Sequence, residues 1–246
     1  MMLDRLRDSG FEVEFTNHAQ AIMLHDFPDL IDELEGALLN ISLPMTEIIG
    51  GGGGEAKMTQ RLRRGLAALQ WSKHNFEMKK IVDGVPKESV SHEIDHVRRA
   101  DSGTVALEIE WNNKDPFFDR DLENFKRLHA EGAISIGGII TRGSEMQATM
   151  RSRVEKFATD RGIDSFDGLE EFGAGSPTGP QRRQIEADIA RGADFATAWS
   201  RKFVADKFGQ ATTHWAKLQD RVARGVGNPC PLILIGLSPS IIDMSA

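Results

Sequence analysis

In this 246-residue chain the residues best placed to do chemistry are acids in two neighbouring segments. The first segment reads Ser91-His92-Glu93-Ile94-Asp95-His96-Val97, and the second Val105-Ala106-Leu107-Glu108-Ile109-Glu110-Trp111. Side chains at i and i+2 of a strand leave from the same face, so Glu108 and Glu110 project together. A neighbouring antiparallel strand can bring Asp95 alongside them. Like charges packed this closely cost free energy unless a cation neutralises them or one carboxyl keeps its proton. Hard oxygen donors with no cysteine among them favour magnesium or manganese. The plain alternative is a solvated strand face whose acids meet water and lysines. Against it, the opposite face carries Val105, Leu107, Ile109 and Trp111, and the next strand is apolar throughout, so the acids lie beside a core.

The elements that must position these acids follow from the hydrophobic period. From Trp71 onward it is two: 74–82 and 88–98 read as paired strands with Asp83-Gly84 and Pro86 in the turn, and 104–111 as a third. Asp115-Pro116 then announces a helix, an acid cap followed by proline at the first helical position. Asp119 and Asp121 suit the positive end of that helix, Phe118, Leu122, Phe125 and Leu128 make its buried stripe, and Gly132 ends it. The run Ala133 to Thr141, AISIGGIIT, has the composition of a central strand covered on both faces. Ser144 with Gln147 reads as a capping box for the next helix, which turns Met146, Met150, Val154 and Phe157 inward.

Outside this centre, residues 1–45 read as helical, 163–182 as a long loop, 182–192, 194–208 and 212–223 as helices, and 231–237 as a last apolar strand. The run Gly50 to Gly54 lacks the Lys-Ser/Thr pair of a phosphate-binding loop, so a hinge or close backbone approach is the better reading. Thr59 is the candidate cap of the helix that follows, with Leu62, Leu66 and Leu69 on one stripe. The expected fold is α/β: a mixed central β-sheet sandwiched by helices, with N-terminal and C-terminal helical additions. One domain over 1–246 is expected, with a core at about 59–160, a helical region at 1–45, and C-terminal helices and a strand at 182–237.

The totals exclude little. Apolar residues are 40% and charged residues 27%, ordinary for a globular protein. The first eight residues offer no signal peptide, and no run approaches the roughly 18 apolar residues of a spanning helix, so a cytoplasmic protein without a membrane partner is expected. The single cysteine, Cys230, rules out an internal disulfide. A net charge of −7 argues against nucleic acid, yet DNA binding needs a local basic surface rather than a basic total.

The segments Ser91 to Asp95, Glu108-Ile109-Glu110-Trp111-Asn112-Asn113-Lys114-Asp115 and Phe118-Asp119-Arg120-Asp121-Leu122 closely resemble the BglII, BstYI and BamHI group of type II restriction endonucleases, within the PD-(D/E)xK nuclease fold. Further matches are Gly51 to Glu55 with Thr59 to Arg63, Ile140-Thr141-Arg142, Thr212-Thr213-His214-Trp215 and Cys230-Pro231, in the same order from about 46 to 237. The resemblance implies a magnesium-dependent hydrolase, with manganese able to substitute, that cuts both strands of a short palindromic DNA site. Asp95 then matches the central metal-binding aspartate and Glu108 the first acid of the signature. Glu110 stands where most nucleases of this fold have lysine; BglII-like enzymes can have glutamine and BamHI has glutamate, and this chain resembles the BamHI version. The Ile109 carbonyl matches a backbone metal ligand. Glu77 or Asn75 completes the site, Glu77 being preferred. A metal-activated water would give 5′-phosphate and 3′-hydroxyl ends.

For reading DNA, Asn113 matches the family's base-reading asparagine, an amide suited to adenine, and Lys114 suits phosphate. A polar turn with a helix cap is the competing account of that segment. Arg142, toward guanine or phosphate, and Ser144 form the second candidate reading point, and Thr213, His214 and Lys217 a weaker third. The resemblance implies a GATC core. A palindrome is matched by twofold protein symmetry, so a homodimer is expected, with the 117–128 helix as candidate interface and a cognate DNA methyltransferase in the same system. The competing functions are a less specific repair or phage nuclease of this fold, and a DNA-binding module without catalysis.

Overall fold

The computed structural model describes residues 2–51 and 54–245, so the Gly52-Gly53 part of the glycine run lies outside the described residues. A six-stranded sheet has the order β1-β7-β6-β5-β4-β3. Its strands are β1 (Glu12–Thr16), β3 (Ser72–Val82), β4 (Val85–Ala100), β5 (Gly103–Glu110), β6 (Ile136–Arg142) and β7 (Leu232–Leu237). The central three run parallel, while β4 and β3 on one side and β1 on the other are antiparallel to their neighbours. This is the mixed sheet expected, and helices cover both faces. A short parallel pair, β2 (Leu43–Pro44) with β8 (Ile242–Asp243), stands apart.

On one face pack α1 (Asp4–Asp8), α2 (Ala19–Asp26), α3 (Pro28–Leu39), α4 (Met45–Ile49), α5 (Lys57–Ala68), α7 (Ser144–Asp160), α8 (Phe166–Glu171), α9 (Gly179–Ala190) and α10 (Phe195–Lys207). They meet Val105, Leu107 and Ile109 of β5 and Ile233 and Ile235 of β7. On the other face lie α6 (Phe117–Ala130) and α11 (Trp215–Ala223), whose Phe118, Leu122, Phe125, Leu128 and Leu218 pack on Ala106, Ile139, Leu232 and Leu234. Alternation along β5 thus sends one row into each core, as period-two burial requires. The α6 stripe considered as a dimer interface is buried within this chain.

Several local expectations are corrected. Residues 1–45 are not wholly helical: β1 pairs antiparallel with β7 from Glu12–Gly236 to Thr16–Leu232. Only Val13 of β1 is fully buried, the pattern of an edge strand with weak alternation. The 163–182 segment contains α8 and the start of α9 rather than one long loop. Thr59 lies buried inside the first turn of α5, which begins at Lys57 with no side-chain cap. Pro116, not Asp115, is the cap residue of α6, and Asp115 instead pairs with Lys217 at 3.4 Å and Arg221 at 3.2 Å. No capping box forms at Ser144: the Glu12 carboxylate accepts from Ser144 N and Oγ at 2.5 and 2.6 Å. That is an anion from the adjacent strand edge placed at a helix N-terminus. Gly132, with φ +69°, does close α6 as expected.

Candidate functional site

Glu108 and Glu110 stand at the C-terminal end of β5 on the face covered by α6. Despite their charge they are 5% and 3% exposed. Beneath them lies Asp121 of α6, 1% exposed, so three acids meet between strand and helix. Arg120 spans two of them, with Nη2 at 2.8 Å from Asp121 Oδ1 and 3.5 Å from Glu110 Oε1. Asn113 Nδ2 donates to Glu110 Oε2 at 2.6 Å. Asp121 was not among the candidate acids, although the sequence holds a signal. It sits between Phe118 and Leu122 within the buried stripe, where a charge is out of place unless it has a task or a partner.

Burial, reinforced by the neighbouring Asp121, Asp95 and Glu110 charges, pushes the Glu108 carboxyl up to about 9. Burial and the Asp121 charge push Glu110 up to about 8, against the opposing pull of the Asn113 amide and Arg120. Asp121 is also raised by burial, while the Arg120 hydrogen bond holds it down. Without a further cation this cluster keeps protons at neutral pH, as crowded carboxyls must.

Asp95 is placed differently. In the β3–β4 register Ser72 faces Val97 and His74 faces Ile94, so Asp95 and His96 share Lys73 as partner in a β-bulge. The extra residue reverses the alternation: Ile94 and Val97, three apart, enter the same core. The β4–β5 ladder ends at His96–Leu107, one position before Asp95 and Glu108. The Asp95 side chain is 54% exposed and lies 3.7 Å from Lys73 Nζ, which also binds Glu93 at 2.6 Å. It lines a cleft of about 1030 Å³ together with Ile109, Asn113, Lys57, Arg63 and Lys73. The charge of Asp95 reaches Glu108 and Asp121, raising both. The three acids expected around one ion are therefore not drawn into a single cage. Among the described residues no group of three His, Cys, Asp or Glu side chains is arranged to hold a metal.

Glu77 is exposed and paired with Lys79 at 3.0 Å, and Asn75 accepts from Ser91 at 2.6 Å. Both sit where the β3–β4 hairpin runs past the stretch paired with β5, so neither joins Glu108 and Glu110.

Of the expected DNA contacts, Asn113, Lys114 and Ser144 are exposed and Lys217 is half-buried. Thr213 and His214 are buried, and Thr213 Oγ1 accepts from Asn113 N at 3.1 Å. Arg142 is fully buried and bonds to Trp111 O, Asn112 Oδ1, Thr212 Oγ1 and Gln147 Oε1 at 2.7–3.0 Å. Burial pulls its guanidinium down to about 9, still protonated at neutral pH.

The described part of the glycine run makes a close backbone approach. Gly51 N donates to Gly173 O at 3.1 Å, and a Cβ on Gly51 would come within 2.8 Å of Gly175 Cα. Lys207 Nζ clamps the same turn by donating to Ile48 O and Gly50 O at 2.8 and 2.9 Å.

The chemistry of the donor set suits a hard divalent ion, although its acids are not gathered around one point. It is made of carboxyl oxygens and a strand-end carbonyl, and two of its carboxyls hold protons that a cation would displace. Arg120 and Lys73 are the protein cations now beside these acids.

A mixed sheet flanked by helices, with acids at the C-terminal end of a central strand, defines the restriction-endonuclease-like class of α/β fold. The restriction endonuclease BglII/BglIII family matches residues 11–237, and the chain belongs to that family. It is thus a restriction endonuclease, a nuclease whose substrate is DNA. A comparison with curated proteins finds no match. Among the described residues no helix is long and apolar enough to cross a membrane.

Proposed function

We propose that this chain is a magnesium-dependent type II endonuclease that cuts both strands of a short palindromic site as a homodimer, leaving 5′-phosphate and 3′-hydroxyl ends. The observation that carries the reading is the burial of Glu108 and Glu110, with raised pKa values, beside a cleft that Asp95, Ile109 and Asn113 line with Lys57, Arg63 and Lys73. Asp95, Glu108 and the Ile109 carbonyl are the residues to hold the ion; Glu77, exposed and paired with Lys79, is not placed to complete the site. When bound, magnesium supplies a lowered pKa for water and a counter-charge for the phosphate. Glu110, bonded to the Asn113 amide and facing Arg120, is the residue to hold the proton released at the phosphate. Lys57, Arg63, Lys73 and Lys207 bring cations to the cleft among the acids Glu47, Glu55 and Asp95. Arg63 and Lys73 are free to turn to phosphate only by leaving Glu55, Glu93 and Asp95.

Asn113 and Lys114 protrude at the end of β5 and are the proposed base and phosphate contacts, with Ser144, Thr213, His214 and Lys217 around them. Arg142 belongs to the same region. Family membership supports a GATC core, and an activity of this kind requires a cognate methyltransferase to protect the host DNA. The test is digestion of phage DNA with magnesium. Discrete fragments are expected from the wild type, and none from Glu108→Ala, which should still bind the site in calcium. Smearing would indicate a less specific nuclease, shifted but uncut DNA a binding module, and unchanged cutting by Glu108→Ala would remove that residue from the site.

A further inference from the structure

Arg142 is among the largest fully buried side chains of the molecule, and no carboxylate among the described residues forms an ion pair with it. A guanidinium out of water without a counter-ion is costly, and a methionine could fill the same volume. What offsets the cost is where its donors go. Nη1 bonds to Trp111 O and Asn112 Oδ1, both at 2.8 Å, and Nη2 to Thr212 Oγ1 at 2.7 Å. Nε bonds to Gln147 Oε1 at 3.0 Å, and Gln147 in turn donates to Phe208 O. The Phe208 and Trp111 rings lie 5.0 and 5.6 Å from the guanidinium carbon.

These anchors flank two loops, 112–115 and 209–213, that are also laced directly. Thr213 N donates to Asn113 O at 2.9 Å and Asp115 N to Ala211 O at 3.1 Å. Lys114 and Thr212 form an isolated bridge. The loops therefore make one plate that carries Asn113 and Lys114 outward, and Arg142 is the only side chain bonded to both loops and to α7 among the described residues. We propose that Arg142 is a positioning residue for sequence discrimination. It fixes the plate from beneath and acts on DNA through Asn113 and Lys114 without touching a base. The inference rests on the nuclease reading for its link to discrimination, but the fixing of the plate does not.

The test uses Thr212→Val, which removes one anchor together with the Thr212 bond to Gly209 O and leaves Arg142 in place, beside Arg142→Gln, which keeps the Gly209 bond, and Arg142→Lys. Amide exchange in the DNA-free protein is expected to speed up at Asn113, Asp115 and Thr213 in Thr212→Val and Arg142→Gln, while Ile139 and Leu234 stay protected. Cleavage of the cognate site relative to one-base variants is expected to fall about tenfold to a hundredfold, the scale of one base contact. Lysine, without the planar fork, restores only part of it. Unchanged exchange in Thr212→Val overturns the positioning role. So does unchanged discrimination in that variant with loss only in Arg142→Gln, the pattern of an arginine that reads a base itself. An equal fall on cognate and altered sites, tracking the folded fraction, overturns the link to specificity. A wild type that yields no discrete fragments sinks the nuclease reading alone, and the exchange measurement still decides the plate.

Discussion

Asn113 Nδ2 lies 2.6 Å from Glu110 Oε2, so the amide proposed to read a base is bonded to an acid proposed to handle a proton at the phosphate. The bond favours the ionised carboxylate and pulls Glu110 down against burial. The residues proposed for recognition and for chemistry are three apart in sequence because β5 ends between them.

Replacing Asn113 with alanine is therefore expected to do two separable things. Discrimination at one base pair falls by about tenfold to a hundredfold. Glu110 loses a donor, its pKa rises above about 8, and the acid limb of the rate profile moves to higher pH. The measurement is the initial cleavage rate from pH 6.5 to 9. A variant that loses specificity with an unmoved limb would separate the two residues.

The pair Gly137-Gly138 gives a second expectation. A Cβ on Gly137 would sit 2.6 Å from the Phe125 ring, so α6 packs on β6 only because that position is bare. Gly137→Ala has to push α6 outward, at a cost of about 1–3 kcal/mol. Because α6 carries Arg120 and Asp121, activity should fall further than the thermal shift alone explains. Wild-type stability together with wild-type cleavage would show that Phe125 gives way freely.

A third concerns the sheet edge. Glu12 holds the N-terminus of α7 through Ser144, and Glu12→Ala is expected to lose about 0.5–2 kcal/mol, as for a lost helix cap. For a chain of this size that is a fall in Tm of a few degrees. Calorimetry reads it, and Glu12→Gln should recover part through its remaining oxygen.

The central strands, α6 and the paired acids of β5 were legible because each rests on local pattern: a period of two, a period of 3.6, or a run of β-branched residues. What failed depended on partners distant in sequence. β1 has one fully buried residue and exists because β7 offers it an edge. Ser144 reads as a cap by local rules, but the carboxylate that binds it comes from 132 residues away. The bulge at Asp95 is a register event between two strands, and the sequence of either alone carries no mark of it. Arg142 resembles an exposed contact by its place after β6, yet four acceptors from three segments hold it inside. Asp121 is readable as an acid within an apolar stripe, although its place in the first turns of α6 suits the helix dipole as well.

Glu108 yields the last expectation, one that needs neither DNA nor cleavage. Its folded pKa, about 9, lies above the ordinary 4.5, so the folded state binds its proton more tightly than the unfolded chain does. The stabilisation this gives is fully present below about pH 4.5 and is lost as pH rises towards 9. Over that window the slope is at most about 1.4 kcal/mol per pH unit. Glutamine keeps the shape of the neutral acid and cannot ionise. Glu108→Gln should therefore melt near the wild type at pH 5 and above it at pH 8.5. Magnesium at pH 8.5 should raise the Tm of the wild type, which offers it a carboxylate, and raise that of the variant less. Melting curves that stay parallel from pH 5 to 8.5 would mean that Glu108 is ionised in the folded protein, and that its burial between β5 and α6 does not tune it for a cation.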